Sequence, residues 1–133
     1  MIDPKINFVF DEHAGLYMPG DMMSGECQID AFDPRQLKSV EISVLWYTLG
    51  KGEEDLSVHY FQRDTGDEEG LIDLETPHRF ETQLPNSPLS YDGVIVKICW
   101  CVRARVFVRG GREVVDEQPF QLGAVPRPLV VPS

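Results

Sequence analysis

The chain has 133 residues, of which 42% are hydrophobic and 26% charged, a size and composition that suit one soluble globular domain with a single core. Its 22 acidic and 12 basic side chains give a net charge of -10, which repels nucleic acid phosphates and anionic membrane surfaces. No apolar run approaches the roughly 18 residues of a membrane span, and no signal peptide pattern opens the sequence. An odd number of cysteines argues against a disulfide framework. We therefore expect a cytoplasmic protein with reduced thiols, no nucleic acid partner and no membrane insertion.

Turn residues divide the chain into short segments rich in β-branched and aromatic side chains, a pattern typical of an all-β domain. No segment predicts a helix. Seven strands are predicted, at residues 5–10, 22–31, 39–48, 56–63, 78–84, 94–108 and 114–122.

In the longest predicted strand, apolar side chains share one parity, and most side chains of the other parity are polar or cysteine. Its even-numbered residues, from Val94 to Val108, are apolar and include Trp100, which predicts one buried face and one face in water. Residues 39–48 alternate in the same way, with Leu45 as an exception on the polar face. Several strands with one apolar face each bury those faces most simply when two sheets pack against each other. We predict an immunoglobulin-like antiparallel β-sandwich of about seven strands, with a closed barrel as the alternative.

The domain is predicted to occupy residues 1–124, followed by a Pro-rich tail at residues 125–133 that is unsuited to strand pairing. Residues 51–75 hold nine acidic and two basic side chains, so this window carries -7 of the net charge of -10. Within it, residues 64–70 are expected to form a solvated hairpin connection in which glycines adopt positive φ.

Two sequence blocks resemble the arrestin-like domain family. Residues 15–25 contain the pattern Y-x-P-G-D-x-x-x-G, and residues 80–93 contain F-x-x-x-L-P-x-x-x-x-S-Y-x-G before the long strand. In physical terms, Gly20 suits the left-handed position of a turn, and Gly25 within a strand indicates a bulge or the close approach of another backbone. The resemblance covers residues 5–122 and is to an arrestin N-terminal-like β-sandwich, with the C-terminal type of arrestin sandwich as an open alternative.

The resemblance implies an adaptor or scaffold that binds other proteins and is not an enzyme. Classical members carry two such sandwiches, whereas this chain has the length for one. A lone copy would leave uncovered the surface that its sibling covers, which makes a homodimer plausible. Phosphate sensing is not implied, because Lys5 stands alone among acidic residues near the first strand.

Two groups of residues are candidate binding sites for a protein partner. On an acidic chain, the basic row of Lys97, Arg103 and Arg105 suits an acidic peptide or the chain's own acidic loop. Alternatively, the row pairs with carboxylates on neighbouring strands, such as Glu41 or Glu81. Tyr17 and Asp21, in the first arrestin-like block, are the second candidate group.

A small-ligand or carbohydrate-binding sandwich is the alternative function. It requires that exposed aromatic side chains form one stacking platform, and the candidates are Tyr17, Tyr47, Phe61 and Tyr91.

Catalytic, metal and cofactor sites are not predicted. Cationic neighbours on the strand of Cys99 and Cys101 favour a lowered thiol pKa, but a metal site needs further ligands at finger or ribbon spacing. The histidines at positions 13, 59 and 78 lie on separate segments. No nucleophile elbow, phosphate loop or dinucleotide fingerprint occurs.

Overall fold

The computed structural model describes residues 4–12, 15–31, 33–52 and 54–123, which form nine strands and one short 3-10 helix, Pro34–Gln36. The seven predicted strands are confirmed, and two strands of two residues each are added. In chain order the strands are β1 (Lys5–Phe10), β2 (Leu16–Tyr17), β3 (Met22–Asp30), β4 (Leu37–Gly50), β5 (Leu56–Asp64), β6 (His78–Gln83), β7 (Tyr91–Asp92), β8 (Val96–Val108) and β9 (Arg112–Leu122).

The strands form two separate sheets. The small sheet has the order β1-β3-β6, and the large sheet has the order β2-β9-β8-β4-β5, with β7 paired to β8. All pairs are antiparallel except β2 with β9, which are parallel. The predicted sandwich is therefore confirmed, and the barrel alternative is wrong. No helix in the described part of the chain is long and apolar enough to cross a membrane.

The core lies between the sheets and uses one parity of each long strand. In the large sheet the buried residues of β4 pair directly with those of β8, as in Val40 with Val106 and Ile42 with Ala104. This pairing follows from the alternation, because directly opposed residues in a sheet project to the same side. The small sheet contributes Ile6, Met23, Cys27, Ile29 and Phe80 to the same core.

The start of the long strand departs from the prediction. Val94 precedes β8 and is 96% exposed, and Val96 is also exposed, although their parity assigned them to the core. The reason is strand length: β4 and β8 have 14 and 13 residues, whereas the strands of the small sheet have six to nine. The small sheet therefore ends before it reaches this end of the large sheet.

The acidic segment after β5 also departs from the prediction. It connects β5 in the large sheet to β6 in the small sheet, so it crosses between layers and is not a hairpin. Gly66 and Gly70 do have positive φ, at 92° and 78°. The carboxylates of Asp64 and Asp67 accept hydrogen bonds from backbone amides within the segment, at 2.8 to 3.0 Å. The predicted tail, residues 125–133, lies outside the described residues.

Candidate protein-docking surface

The outer faces of the two sheets differ in chemistry. The outer face of the small sheet is mainly polar, as expected for a sheet in contact with water. There Arg79 on β6 pairs with Glu26 at 2.9 Å and with Asp11, whose carboxylate also accepts from the Ser24 hydroxyl at 2.7 Å. Val9 and Met22 are exposed apolar residues on this face, and Glu26, which pairs with Val9, lies four residues from Met22 along β3.

The outer face of the large sheet is apolar over β8, β4 and the edge strand β5. Strand register places Val58 of β5 beside Leu45 of β4, which lies beside Cys101 of β8. One step further along the strands, Leu56 lies beside Tyr47. We call this surface the apolar face, and it consists of Leu45, Tyr47, Leu49, Leu56, Val58, Phe61, Cys99 and Cys101.

Two residues of the apolar face are buried although no second layer covers them. Leu45 is 1% exposed and Cys101 is 2% exposed. A β-bulge helps to explain this, because the register shifts between Val44 and Leu45 and leaves His59 without a paired residue in β4. The extra residue brings both Val58 and Phe61 to the outer side, around Leu45. The expectation that this parity faces water throughout is therefore wrong.

Cationic side chains border the apolar face. Arg63 on β5, Glu41 on β4 and Arg105 on β8 follow one another across the sheet. Arg63 Nε donates to Glu41 Oε2 at 2.8 Å, and Arg103 donates to Glu117 Oε2 at 3.1 and 3.3 Å. We call Arg63, Arg103 and Arg105 the arginine row.

Two of the predicted basic residues pair with carboxylates on neighbouring strands, as the alternative expected, but not with the examples Glu41 and Glu81. Lys97 pairs with Asp92 at 3.3 Å and Arg103 with Glu117, whereas Glu81 lies on β6, in the other sheet. Arg105 is exposed and has no ion pair with another described residue. Exposed pairs of this kind contribute about 0–1 kcal/mol each, so the row is not needed for stability.

A shallow cavity of about 410 Å³ adjoins the arginine row. Its cationic lining side chains are Lys38 and Arg63, and Phe107 supplies an apolar wall. Ser39, Glu41 and Thr65 complete the lining. The cavity therefore offers space, positive charge and an aromatic ring together.

The pKa of each cysteine thiol is raised, so the cationic neighbours on β8 do not activate Cys99 or Cys101. Burial raises the pKa of Cys101, whose thiol also donates to Glu117 Oε2 at 3.0 Å. Burial raises the pKa of Cys27 to about 12 and also raises that of Cys99. All three thiols are free. Within residues 4–12, 15–31, 33–52 and 54–123, no group of three or more His, Cys, Asp or Glu is placed to hold a metal ion. His13 lies outside these ranges.

We expect iodoacetamide at about pH 8 to modify Cys99 first in the native protein, because Cys27 and Cys101 are buried and only the thiolate reacts. Mass spectrometry of tryptic peptides over time gives the order. A Cys99→Ser variant is the control and loses the early adduct. Equal rates at all three positions would contradict this exposure order.

Tyr17 and Asp21 have structural roles in the fold. Tyr17 is 1% exposed and packs edge-on against Phe10 and Phe120, with ring centroids 6.0 and 5.6 Å apart. Asp21 Oδ2 accepts from the Met18 amide at 2.8 Å and so closes the turn that contains Gly20, at φ 85°. The left-handed glycine is confirmed, and the expected exposure of Tyr17 is wrong. Binding of a partner by Asp21 stays a prediction.

The four candidate aromatic residues do not form one exposed platform. Tyr47 and Phe61 share the apolar face, but Tyr17 lies in the core. Tyr91 pairs with Ile98, which has the parity of the core side, so it projects away from Tyr47. The single stacking platform that the small-ligand or carbohydrate-binding alternative requires is therefore not formed by these four residues.

Sequence reasoning identified Arg103 and Arg105 on this surface and named Phe61 only as a candidate for ligand stacking, but it missed Leu56, Val58 and Arg63 of β5. One signal in the sequence could have indicated an apolar surface here. Leu45 and Leu49 are apolar residues at positions of β4 that the alternation predicts to face water. The contribution of β5 could not be predicted without the bulge, because Val58 and Phe61 are three residues apart and a regular strand places them on opposite faces.

The two facing sheets give this chain the fold of an arrestin-like β-sandwich. The structure is similar to that of Spo0M, the sporulation control protein from Bacillus subtilis, with a TM-score of 0.64 and 16% sequence identity over 93% of this chain. The chain spans 51% of the Spo0M chain. A structural similarity at this level of sequence identity shows a shared fold and does not show a shared function. No family model matches the sequence, and no curated protein matches it.

Proposed function

We propose that this chain is a non-catalytic protein-interaction module of arrestin-like type that docks a partner on the apolar face. The supporting observation is the contrast between the two outer faces. One sheet presents a mainly polar surface, while the other exposes Leu49, Leu56, Val58 and Phe61 around the buried Leu45.

Burial of such a surface supplies binding energy. Apolar surface contributes about 25 cal/mol per Å² removed from water, and contiguous exposed apolar patches on soluble domains commonly mark interaction sites. The apolar face is bordered by the arginine row, which matches the usual arrangement of an apolar centre with a polar rim. The occupant is either another protein or a second copy of this chain. We also propose a cytoplasmic location, which agrees with the three free thiols.

We expect a Val58→Glu variant to lose partner binding, because a carboxylate in the middle of the apolar face opposes desolvation. Val58 is 49% exposed on an edge strand, so the fold tolerates the change. Affinity capture from native lysate, with the bound proteins quantified, gives the measurement, and light scattering detects a second copy.

The matched control is Val9→Glu, which makes the same change at a valine that is 61% exposed on the other sheet. Partners or dimers retained by Val9→Glu and lost by Val58→Glu support the proposal. Equal retention by both variants would show that the partner binds elsewhere. A thermal melt of each variant confirms that both are folded.

A further inference from the structure

We propose that the docking surface recognises an acidic protein segment in which carboxylates stand beside bulky apolar side chains. This inference rests on the proposed function and names the chemistry of the partner. The argument comes from the balance of charge, from the state of Arg105 and from the distances across the face.

The charge on this outer face differs from that of the whole chain. By strand register the face carries four basic side chains, Arg63, Lys97, Arg103 and Arg105, and four acidic ones, Glu41, Asp92, Glu113 and Glu117. The chain as a whole has 12 basic and 22 acidic residues. The outer face of the large sheet is therefore balanced in charge on a strongly anionic protein, and its arginine without an ion pair to a described residue is Arg105. An unpaired guanidinium on such a face favours a partner that brings a carboxylate to it.

Arg105 is the arginine of the row that has no ion pair with a described residue. Glu41 lies opposite it on β4 but accepts from Arg63, and Glu117 on β9 accepts from Arg103 and from Cys101. Glu41 and Glu117 thus already have donors, and Glu113, the next carboxylate along β9, forms no ion pair with Arg105. A guanidinium in this state is suited to bind an incoming carboxylate with two parallel hydrogen bonds.

The strand geometry sets the spacing of the recognised groups. Leu45 marks the centre of the apolar face, and Glu41, beside Arg105, lies four residues away on the same strand. Four residues of β-strand span about 13 Å. An extended segment that lies along the strands would therefore place an acidic residue about four positions from its apolar anchor.

The chain's own acidic segment does not occupy this site. Asp64, Asp67 and Asp73 accept hydrogen bonds from nearby backbone amides. Ile72 of the same segment is buried in the core. The segment is thus anchored where the two sheets meet and does not supply the acidic ligand, which we assign to another protein.

The test is selection from a phage-displayed library of random peptides of about twelve residues, long enough to span the face. Enriched peptides are synthesised and titrated against the unaltered chain, Arg105→Glu and Val58→Glu. We expect Asp or Glu three to five positions from Leu, Ile, Phe or Trp. The affinity should fall about ten-fold or more for Arg105→Glu.

Matched controls separate this inference from the proposed function. Lys5→Glu makes the same change of charge on the outer face of the small sheet, and it should alter the affinity less than about two-fold because the site lies beyond the screening length. Peptides without acidic residues that depend on Val58 would overturn the acidic ligand while leaving the docking face intact. Peptides insensitive to both Arg105→Glu and Val58→Glu, or no enrichment at all, would overturn both proposals.

Discussion

Replacement of Trp100 by alanine is expected to lower the free energy of unfolding by about 3–5 kcal/mol. Trp100 is fully buried at the centre of the large sheet, and its ring lies 5.7 Å from that of Phe120 and 6.1 Å from that of His59. Its indole Nε1 donates to the Pro88 carbonyl at 2.7 Å. The alanine variant loses these contacts and leaves a partly buried acceptor unpaired, a large loss for a domain stable by about 5–15 kcal/mol.

Urea unfolding followed by far-ultraviolet circular dichroism gives the measurement. Trp46 provides the matched control, since it pairs with Trp100 across the sheet but is only partly buried. Trp46→Ala should therefore cost less than Trp100→Ala. Equal losses would show that the opposite sheet does not bury Trp100 more than its neighbour. A Trp100→Phe variant keeps most of the ring and isolates the hydrogen bond, worth about 1 kcal/mol.

Replacement of Gly25 by alanine is expected to destabilise the small sheet by about 1–3 kcal/mol. An added Cβ would lie 2.6 Å from the Val9 carbonyl oxygen and 2.8 Å from Phe80 Cζ. Neither neighbour moves freely, because Val9 is held in the pairing of β1 with β3 and Phe80 is buried. Gly25 pairs in register with Phe10, so the glycine serves close approach and not a bulge.

A double-mutant cycle with Phe80→Leu tests this assignment. If the phenyl ring causes part of the clash, the double variant should lose less stability than the sum of the two single variants. Thermal unfolding of all four proteins gives the coupling. Additive losses would place the whole clash at the Val9 carbonyl, and an unchanged Gly25→Ala variant would refute the steric argument.

Local features of the fold were predictable from sequence. The alternation of β8 predicted the buried parity of Trp100 and Ala104, since side chains of a strand project to opposite sides in turn. The Pro19-Gly20 pair predicted a turn with positive φ, which Gly20 adopts. The close approach at Gly25 was also predictable, because a glycine inside a strand leaves room that other residues do not.

Features that depend on how the sheets meet were not predictable in this way. Val94 follows the core parity but is exposed because the small sheet is shorter than β8. Residues 64–70 look like a hairpin loop in sequence, and only the assignment of β5 and β6 to different sheets makes them a crossover. In both cases the outcome depends on how segments far apart in the sequence are placed relative to one another in space.

The candidate site likewise combines features that local sequence predicts with features that depend on the packing of the whole sheet. The sequence by itself determined that Arg103 and Arg105 share a strand face with Cys99 and Cys101, because that relation depends only on a period of two. The tertiary structure alone decided that this face is apolar at its centre. It did so by pairing β4 with β5 and by adding a bulge at His59, which brings Val58 and Phe61 to the same side. Register between strands is set by packing over the whole sheet, so no single strand's alternation contains it.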